Sequence, residues 1–211
     1  MDQYSNRDIA INNFYNEFIG QVSTVAEDNP NKYAWICGWS DKSNQYKRFE
    51  ILANIGIKKS ESVIDIGCGC GEFVNYCKGK RLKIAYTGID INPFYLQIAK
   101  ARYPNSNFIN SNGWDLNTME YDWAVASGVF TLEANITYIL WYVGFIMERI
   151  VRKGFAFNLL NNNAPEGLIN YDSNGVVEAL QERFPEYIIE VVEDYLPDDF
   201  TVYIKKNERS I

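Results

Sequence analysis

The residues best suited to chemistry are a glycine-rich run and an aspartate that follows it. The stretch from Asp65 to Gly71 reads DIGCGCG and begins within the apolar run 62–66, so that its glycines follow that run, while Asp90 ends the next apolar run. Glycine has no Cβ and tolerates positive φ, so a strand-to-helix loop of this kind brings its backbone close to a ligand. A carboxylate at the end of the second strand accepts hydrogen bonds from ribose hydroxyls. Together the two features predict a site for an adenosine-containing cofactor.

The spacing of the glycines indicates which cofactor binds. Loops that bind dinucleotides read G-x-G-x-x-G, with the third glycine beside a pyrophosphate. Here Glu72 takes that third position, which counts against a nicotinamide-type oxidoreductase. The acidic-x-G-x-G-x-G pattern with Asp90 resembles the class I S-adenosylmethionine (SAM)-dependent methyltransferases. The resemblance implies SAM as the cofactor, because its sulfonium cation tolerates a nearby acidic residue. A tight turn without a ligand is the alternative interpretation.

Composition excludes several other kinds of protein. The chain has 211 residues, 47% hydrophobic and 22% charged, which fits one globular domain. The net charge of −7 argues against an extended basic surface for nucleic acid. The sequence contains no histidine, so histidine bases, histidine-ligated metals and Ser-His-Asp triads are excluded.

The cysteines and the apolar segments predict where the protein works. Its four cysteines are Cys37, Cys68, Cys70 and Cys77, without a C-x-x-C pair, so we expect neither a metal nor disulfides and a reduced, cytoplasmic setting. The N-terminal residues lack the apolar stretch of a signal peptide. The longest apolar run, 136–147, is shorter than the roughly 20 residues that a membrane span needs.

Apolar periodicity predicts alternating strands and helices after residue 45. Strands are expected at 62–66, 84–89, 106–110, 121–126, 153–160, 187–192 and 200–205, and helices at 6–26, 45–55, 71–79, 93–103, 132–152 and 173–184. Residues 33–43 are expected to be irregular. This order predicts a doubly wound, mostly parallel seven-stranded sheet with an antiparallel last strand, as in Rossmann-like methyltransferases. Residues 1–44 are expected to form a helical extension or lid, and 45–211 the SAM-binding domain.

The resemblance implies roles for individual residues. Asp65 would hold the methionine ammonium group, or cap the loop amides instead, and Asp90 would hold the ribose, or cap the following helix. Asn112 stands where the family commonly has an acidic residue that contacts the adenine amino group, and its amide oxygen is expected to accept from that group. The other predicted cofactor contacts are Gly67, Cys68, Gly69, Gly71, Ile91, Gly113, Trp114, Ser127, Gly128 and Arg48, with Gln45 as the alternative to Arg48 for the cofactor carboxylate.

The acceptor of the methyl group is less clearly encoded. Ser127 to Phe130 follow the fourth strand and are expected to face the methyl group, with Trp39, Phe130 and Asn158 as substrate residues. The Asn/Asp-Pro-Pro-aromatic motif of methyltransferases that act on DNA bases is absent, and so is a Pro-Cys nucleophile. We therefore expect a small-molecule or glycan acceptor and no nucleic-acid or membrane partner. The alternatives are a protein or RNA methyltransferase that works with a partner, and a non-catalytic cofactor-binding subunit. The sequence singles out no general base.

The predicted helix 132–152 has an excess of aromatic residues. Tyr138, Trp141, Tyr142 and Phe145 occupy much of the surface left by its apolar face. Such a surface favours self-association or a partner protein, or else it is covered by the N-terminal helix.

Overall fold

Seven strands form one sheet in this computed structural model, which describes residues 2–22, 25–116, 121–133 and 135–207. The strands are β1 (Ser62–Ile66), β2 (Ala85–Asp90), β3 (Asn107–Asn110), β4 (Tyr121–Ala126), β5 (Val151–Leu160), β6 (Ile188–Val192) and β7 (Asp199–Lys205). They lie in the order β3-β2-β1-β4-β5-β7-β6, and β7 pairs antiparallel with both of its neighbours while the other pairings are parallel. The predicted sheet is confirmed.

Helices cover both faces of the sheet. They are α1 (Asp2–Val22), α2 (Lys32–Ile36), α3 (Lys42–Ala53), α4 (Glu72–Gly79), α5 (Pro93–Arg102), α6 (Ile136–Phe145) and α7 (Ser173–Arg183). Successive strand residues point to opposite faces. Val63 therefore packs in the core with α3, α4 and α5, whereas its neighbour Ile64 packs in the core with α6 and α7. Parallel strands buried on both faces explain the continuous apolar runs of the sequence.

The predicted helix 132–152 is wrong at both ends. The α-helix covers 136–145, a π-helical turn covers 146–150, and the chain is already extended at Val151, because Val151 pairs with Tyr121 of β4. Tyr142 is buried, whereas Trp141 is 59% exposed. Among the described residues, no helix is long and apolar enough to cross a membrane.

The segment before β1 is more regular than the sequence indicates. The stretch 33–43 contains the short helix α2, whose Ala34 and Ile36 are buried. Helix α3 begins at Lys42 rather than at Gln45, because the Asp41 carboxylate accepts the Asn44 N–H at 2.9 Å and caps the helix. Helix α1 covers 2–22 of the predicted 6–26, and positions 23–24 lie outside the described residues.

Gly154 provides a test of the sheet order. A Cβ at this position of β5 would overlap the backbone carbonyl of Ile204 in β7. We expect Gly154→Ala to lower the free energy of unfolding by about 1–3 kcal/mol, because a backbone neighbour cannot move aside as a side chain can. Gly79→Ala is the matched control, since a Cβ there meets nothing within 4 Å. Chemical denaturation measures both variants, and equal stabilities would contradict the β5–β7 packing.

Candidate active site

A cavity of about 310 Å³ lies over the carboxyl ends of β1, β2, β3 and β4. Its floor consists of the residues that follow these strands, and its other walls come from α1, from the stretch 37–40 and from α3. Twelve of the sequence-predicted site residues line it, namely Trp39, Arg48, Asp65, Gly67, Cys68, Gly69, Asp90, Ile91, Asn112, Ser127, Gly128 and Phe130. Ligands of open α/β sheets bind at this edge, where the strand order reverses between β1 and β4.

Asp90 fixes the shape of the glycine loop. Its carboxylate accepts the Gly69 N–H at 2.8 Å and the Asn92 N–H at 2.8 Å. Gly67 and Gly69 have φ of +65° and +51°, a region that side chains with a Cβ rarely adopt. Burial raises the pKa of Asp90 to about 6, and the hydrogen bonds from Asn92 and Gly69 oppose that rise. Asp90 therefore holds the backbone of the loop and is also part of the cavity lining.

Asp65 is a second buried carboxyl group in the floor of the cavity. Burial raises its pKa to about 7, while the hydrogen bond from the Tyr86 hydroxyl, at 2.7 Å, acts in the opposite direction and nearby Asp90 adds to the rise. A cationic group of a ligand would favour the ionised form, because opposite charges attract strongly at a buried site. The two buried carboxyl groups of the floor therefore favour a positively charged ligand group.

Arg48 has a protein partner as well as a place in the cavity wall. Its Nη2 forms an ion pair with the fully buried Asp199, and Asp198 lies 3.7 Å from the same nitrogen. The guanidinium also stacks on the Trp39 ring, 4.5 Å from its centroid. The Nε atom of Arg48 has no hydrogen-bond partner. Arg48 therefore lines the cavity with one buried donor unpaired.

Four buried side-chain atoms of the described residues have no hydrogen-bond partner, and all four belong to residues that line the cavity. They are Asn12 Oδ1, Gln45 Oε1, Arg48 Nε and Ser127 Oγ. Buried polar atoms are normally paired, and an unpaired one costs about 1–3 kcal/mol. A polar ligand with both donors and acceptors would satisfy this set, and the zwitterionic end of SAM has both.

Helix α1 forms the roof of the cavity. Arg7 Nε donates to Glu133 at 2.9 Å, and the Tyr15 hydroxyl donates to the Gly128 carbonyl at 3.4 Å, next to the Thr131 hydroxyl. Burial raises the pKa of Tyr15, so its phenol is protonated at neutral pH and acts as a hydrogen-bond donor. It is therefore unsuited to remove a proton from an acceptor.

Four predicted site residues lie outside the described lining of the cavity. Gly71 (φ +79°) begins α4, and a Cβ there would press on Tyr103. Gly113 packs against the Tyr142 hydroxyl, and Trp114 stacks beside Phe145, with ring centroids 4.7 Å apart. Asn158 was predicted to contact substrate, but it accepts the Gly128 N–H at 2.9 Å and donates to Asp199 at 2.7 Å. These four residues pack behind the residues that line the cavity.

The structure also adds residues that the sequence did not reveal. Asp8, Asn12 and Tyr15 come from α1, and Asp199 holds Arg48 from 151 positions away. A polar residue on an amphipathic helix has the same local pattern whether it faces solvent or a cavity. The space next to Gly69 is likewise shaped by the N-terminal segment, because a Cβ there would lie 2.7 Å from Cys37 Sγ.

The raised pKa of Asp65 predicts a pH-dependent stability difference between the wild type and Asp65→Asn. The pKa is about 7 in the folded state and about 3.9 in an unfolded chain, so the folded state binds more protons between these values and loses stability as the pH rises. The amide carries no charge and still accepts from Tyr86. We expect the variant to gain on the order of a few kcal/mol relative to wild type between pH 4.5 and pH 8.

Denaturant unfolding of both proteins at pH 4.5 and pH 8 measures how the stability difference between them changes with pH. Asp172→Asn, which changes an exposed helix cap outside the cavity, controls for loss of a charge. If the difference in unfolding free energy between wild type and Asp65→Asn did not change with pH, this would contradict the raised pKa of Asp65.

Comparisons with known proteins agree with the site geometry. Residues 63–139 match the family model described as a methyltransferase domain. The Mycobacterium tuberculosis protein Rv1506c is 27% identical over 158 residues, which are 69% of this chain and 93% of that protein. Its name describes a methyltransferase and does not say what it methylates.

Solved structures show the same fold. A SAM-dependent methyltransferase from Aquifex aeolicus superposes with a TM-score of 0.61 at 17% identity, covering 79% of this chain and 94% of the other. The plantazolicin methyltransferase BpumL, in complex with SAH, gives 0.61 at 13% identity and covers 78% and 84%. The matched segment 63–139 contains the glycine loop, Asp90 and the β4 exit. The chain contains a methyltransferase domain and has the fold of the class I SAM-dependent methyltransferases.

Proposed function

We propose that this protein is a SAM-dependent methyltransferase that acts on a small-molecule or glycan acceptor, which reaches the β4 exit beneath α1. The observation that carries the proposal is the roof over the cavity. Tyr15 of α1 contacts the Gly128 carbonyl and the Thr131 hydroxyl directly at the β4 exit. A folded protein or a nucleic-acid duplex cannot approach this point while α1 is in place. A small molecule needs only a passage at the edge of the helix.

The cofactor would lie across the strand ends, held by complementary charges. Asp90 would accept from the ribose hydroxyls as a charge-assisted pair. Arg48 Nε would donate to the methionine carboxylate, and Asp65 with Gln45 Oε1 would accept from its ammonium group. Each of these side chains lines the cavity, and two of them contribute an unpartnered atom. The fit uses the hydrogen-bonding capacity that the protein leaves unsatisfied.

Methyl transfer at this site would depend on positioning and desolvation. When bound, SAM would supply an activated methyl group: the acceptor's nucleophile, in line with the methyl–sulfur bond, would bond to the methyl carbon while that bond breaks and its electron pair leaves on the sulfur of SAH. Ser127 and Gly128 end β4 beside the cavity, and the Trp39 ring covers Gly128, where a Cβ would lie 2.8 Å from the indole. Aligning two reactants in a closed site removes much of the entropic barrier. Tyr15 is protonated and does not act as the base, and an acceptor such as an amine, a thiolate or an acidic hydroxyl would need none.

Two alternatives remain for the acceptor. A protein or RNA methyltransferase with a partner would need α1 to move away on complex formation. A non-catalytic subunit would bind the cofactor without turnover. The net charge of −7 disfavours free nucleic acid, because its affinity for proteins comes largely from Lys and Arg contacts to phosphates. Asn161 and Asn163, in the loop after β5, both donate to the Pro197 carbonyl and so stabilise a turn.

Asp90 tests how the cofactor is held. We expect Asp90→Ala to weaken binding of S-adenosylhomocysteine (SAH) about ten- to a hundred-fold, because hydrogen bonds to a charged group contribute about 1.5–3 kcal/mol. Titration calorimetry measures the affinity, and a thermal melt shows how far losing the bonds to Gly69 and Asn92 lowers the melting temperature.

Asp172→Ala is the matched control for the Asp90 variant. Asp172 also accepts a backbone N–H, from Gly175 at 2.8 Å, but it lies outside the described cavity lining. We expect the Asp172→Ala variant to lose about 1 kcal/mol of stability, because the helix loses its cap, and to bind SAH as tightly as the wild type. A folded Asp90→Ala protein with unchanged affinity would restrict Asp90 to a capping role.

The class of acceptor is tested with methyl-labelled SAM in extracts of the source cells. Samples are treated with nuclease or protease, or left intact, then fractionated by size, with Asp90→Ala as the blank. We expect label in low-mass or glycan material that resists both treatments. Label that nuclease or protease removes from a polymer would overturn the proposal in favour of an RNA or protein acceptor. A protein that binds SAH yet labels nothing would be a cofactor-binding subunit.

A further inference from the structure

The β3 end of the cavity holds a carboxylate that comes from the roof. Asn112, which follows β3, donates from Nδ2 to Asp8 Oδ2 of α1 at 3.0 Å. Both residues line the cavity. The Asp8 side chain is about one-quarter exposed, and Arg7 lies 3.8 Å from its other oxygen, beyond hydrogen-bond distance. One carboxylate oxygen of Asp8 therefore remains able to accept a hydrogen bond.

Sheet order and charge determine which part of SAM reaches this end. Along the sheet edge the strands run β3, β2, β1, β4, so Asn112, Asp90 and Asp65 follow one another in that order. The charged amino-acid part of the cofactor matches Asp65 and Arg48 at one end, and the ribose matches Asp90 in the middle. The remaining part of the molecule is the adenine, which has to lie at the β3 end.

Asn112 has a protein partner at both ends of its side-chain amide. Its amide oxygen already accepts the Trp114 N–H at 3.1 Å, and its amide nitrogen is directed at Asp8. The predicted hydrogen bond from the adenine amino group would therefore compete with the Trp114 N–H for this oxygen. The 6-amino group of adenine is a hydrogen-bond donor and needs an acceptor, for which a carboxylate is stronger than an amide.

We propose that Asp8 accepts a hydrogen bond from the adenine 6-amino group, so that helix α1 reads the base of the cofactor as it closes the cavity. Asn112 is then a positioning residue, which orients the carboxylate through its amide. The inference rests on SAM as the cofactor and adds a specificity-determining residue outside the segment 63–139 that matches the methyltransferase family. It also links cofactor binding to the position of the roof, since Asp8 and the acceptor-facing Tyr15 lie on the same helix.

A pair of ligands separates base recognition from simple attachment of α1. SAH carries the 6-amino group, and its purine riboside analogue, with hydrogen in place of that group, does not. We expect the wild type to bind SAH about ten- to a hundred-fold more tightly than the analogue. In Asp8→Asn, the Asn112 amide would still find an acceptor, but an NH₂ group would face the base. The preference for SAH should fall to about two-fold or less.

Glu17→Gln is the control for loss of a negative charge on α1, because Glu17 is exposed and outside the described lining. It should keep the wild-type ratio of affinities. If Asp8 only holds α1 down, Asp8→Asn would weaken both ligands by the same factor and leave their ratio unchanged, which would overturn the inference. So would a wild type that binds both ligands equally. Failure of the wild type to bind either ligand would instead overturn the cofactor assignment.

Discussion

The buried carboxylate of Asp199 is the constraint on which the ligand side of this protein depends. It forms an ion pair with Arg48 of α3 and accepts from Asn158 of β5, and Asn158 in turn accepts the Gly128 N–H after β4. Removing one partner from a buried ion pair typically costs about 3–5 kcal/mol, so these elements are held together. The pair therefore brings α3 across the sheet edge and fixes the β4 exit against it.

The same edge of the sheet concentrates polar groups that the protein does not satisfy by itself. Burial raises the pKa values of Asp65 and Asp90 to about 7 and about 6, and within the described part of the chain four buried side-chain atoms lack partners. Natural proteins depart from optimal packing and pairing mainly at functional sites. A ligand with a cation, an anion and a diol would supply the missing partners. Its binding would then stabilise the folded protein in addition to filling the cavity.

The roof is attached in two different ways along its length. Tyr15 and Ile19 of α1 pack on a small apolar cluster formed by Ile36, Cys70 and Tyr95. Near the start of the helix, Arg7 and Asp8 make ion pairs and hydrogen bonds across the cavity. Polar contacts at a partly exposed site contribute little net stability. The apolar part thus anchors the helix, and its polar part is held less strongly.

What the sequence by itself determined is the sheet and its ligand-binding edge. The apolar runs that became β1 and β4 are recognisable because parallel strands are buried on both faces, and the strand ends hold the glycine loop and Asp90. The sequence did not determine the end of α6, because the strand register of Val151 with Tyr121 overrides the helical pattern there. Only the tertiary structure decided that Asp199 pairs with Arg48 and that Asp8 meets Asn112. Local sequence patterns reflect burial and backbone preference, whereas a contact between residues more than 100 positions apart depends on how the whole chain folds.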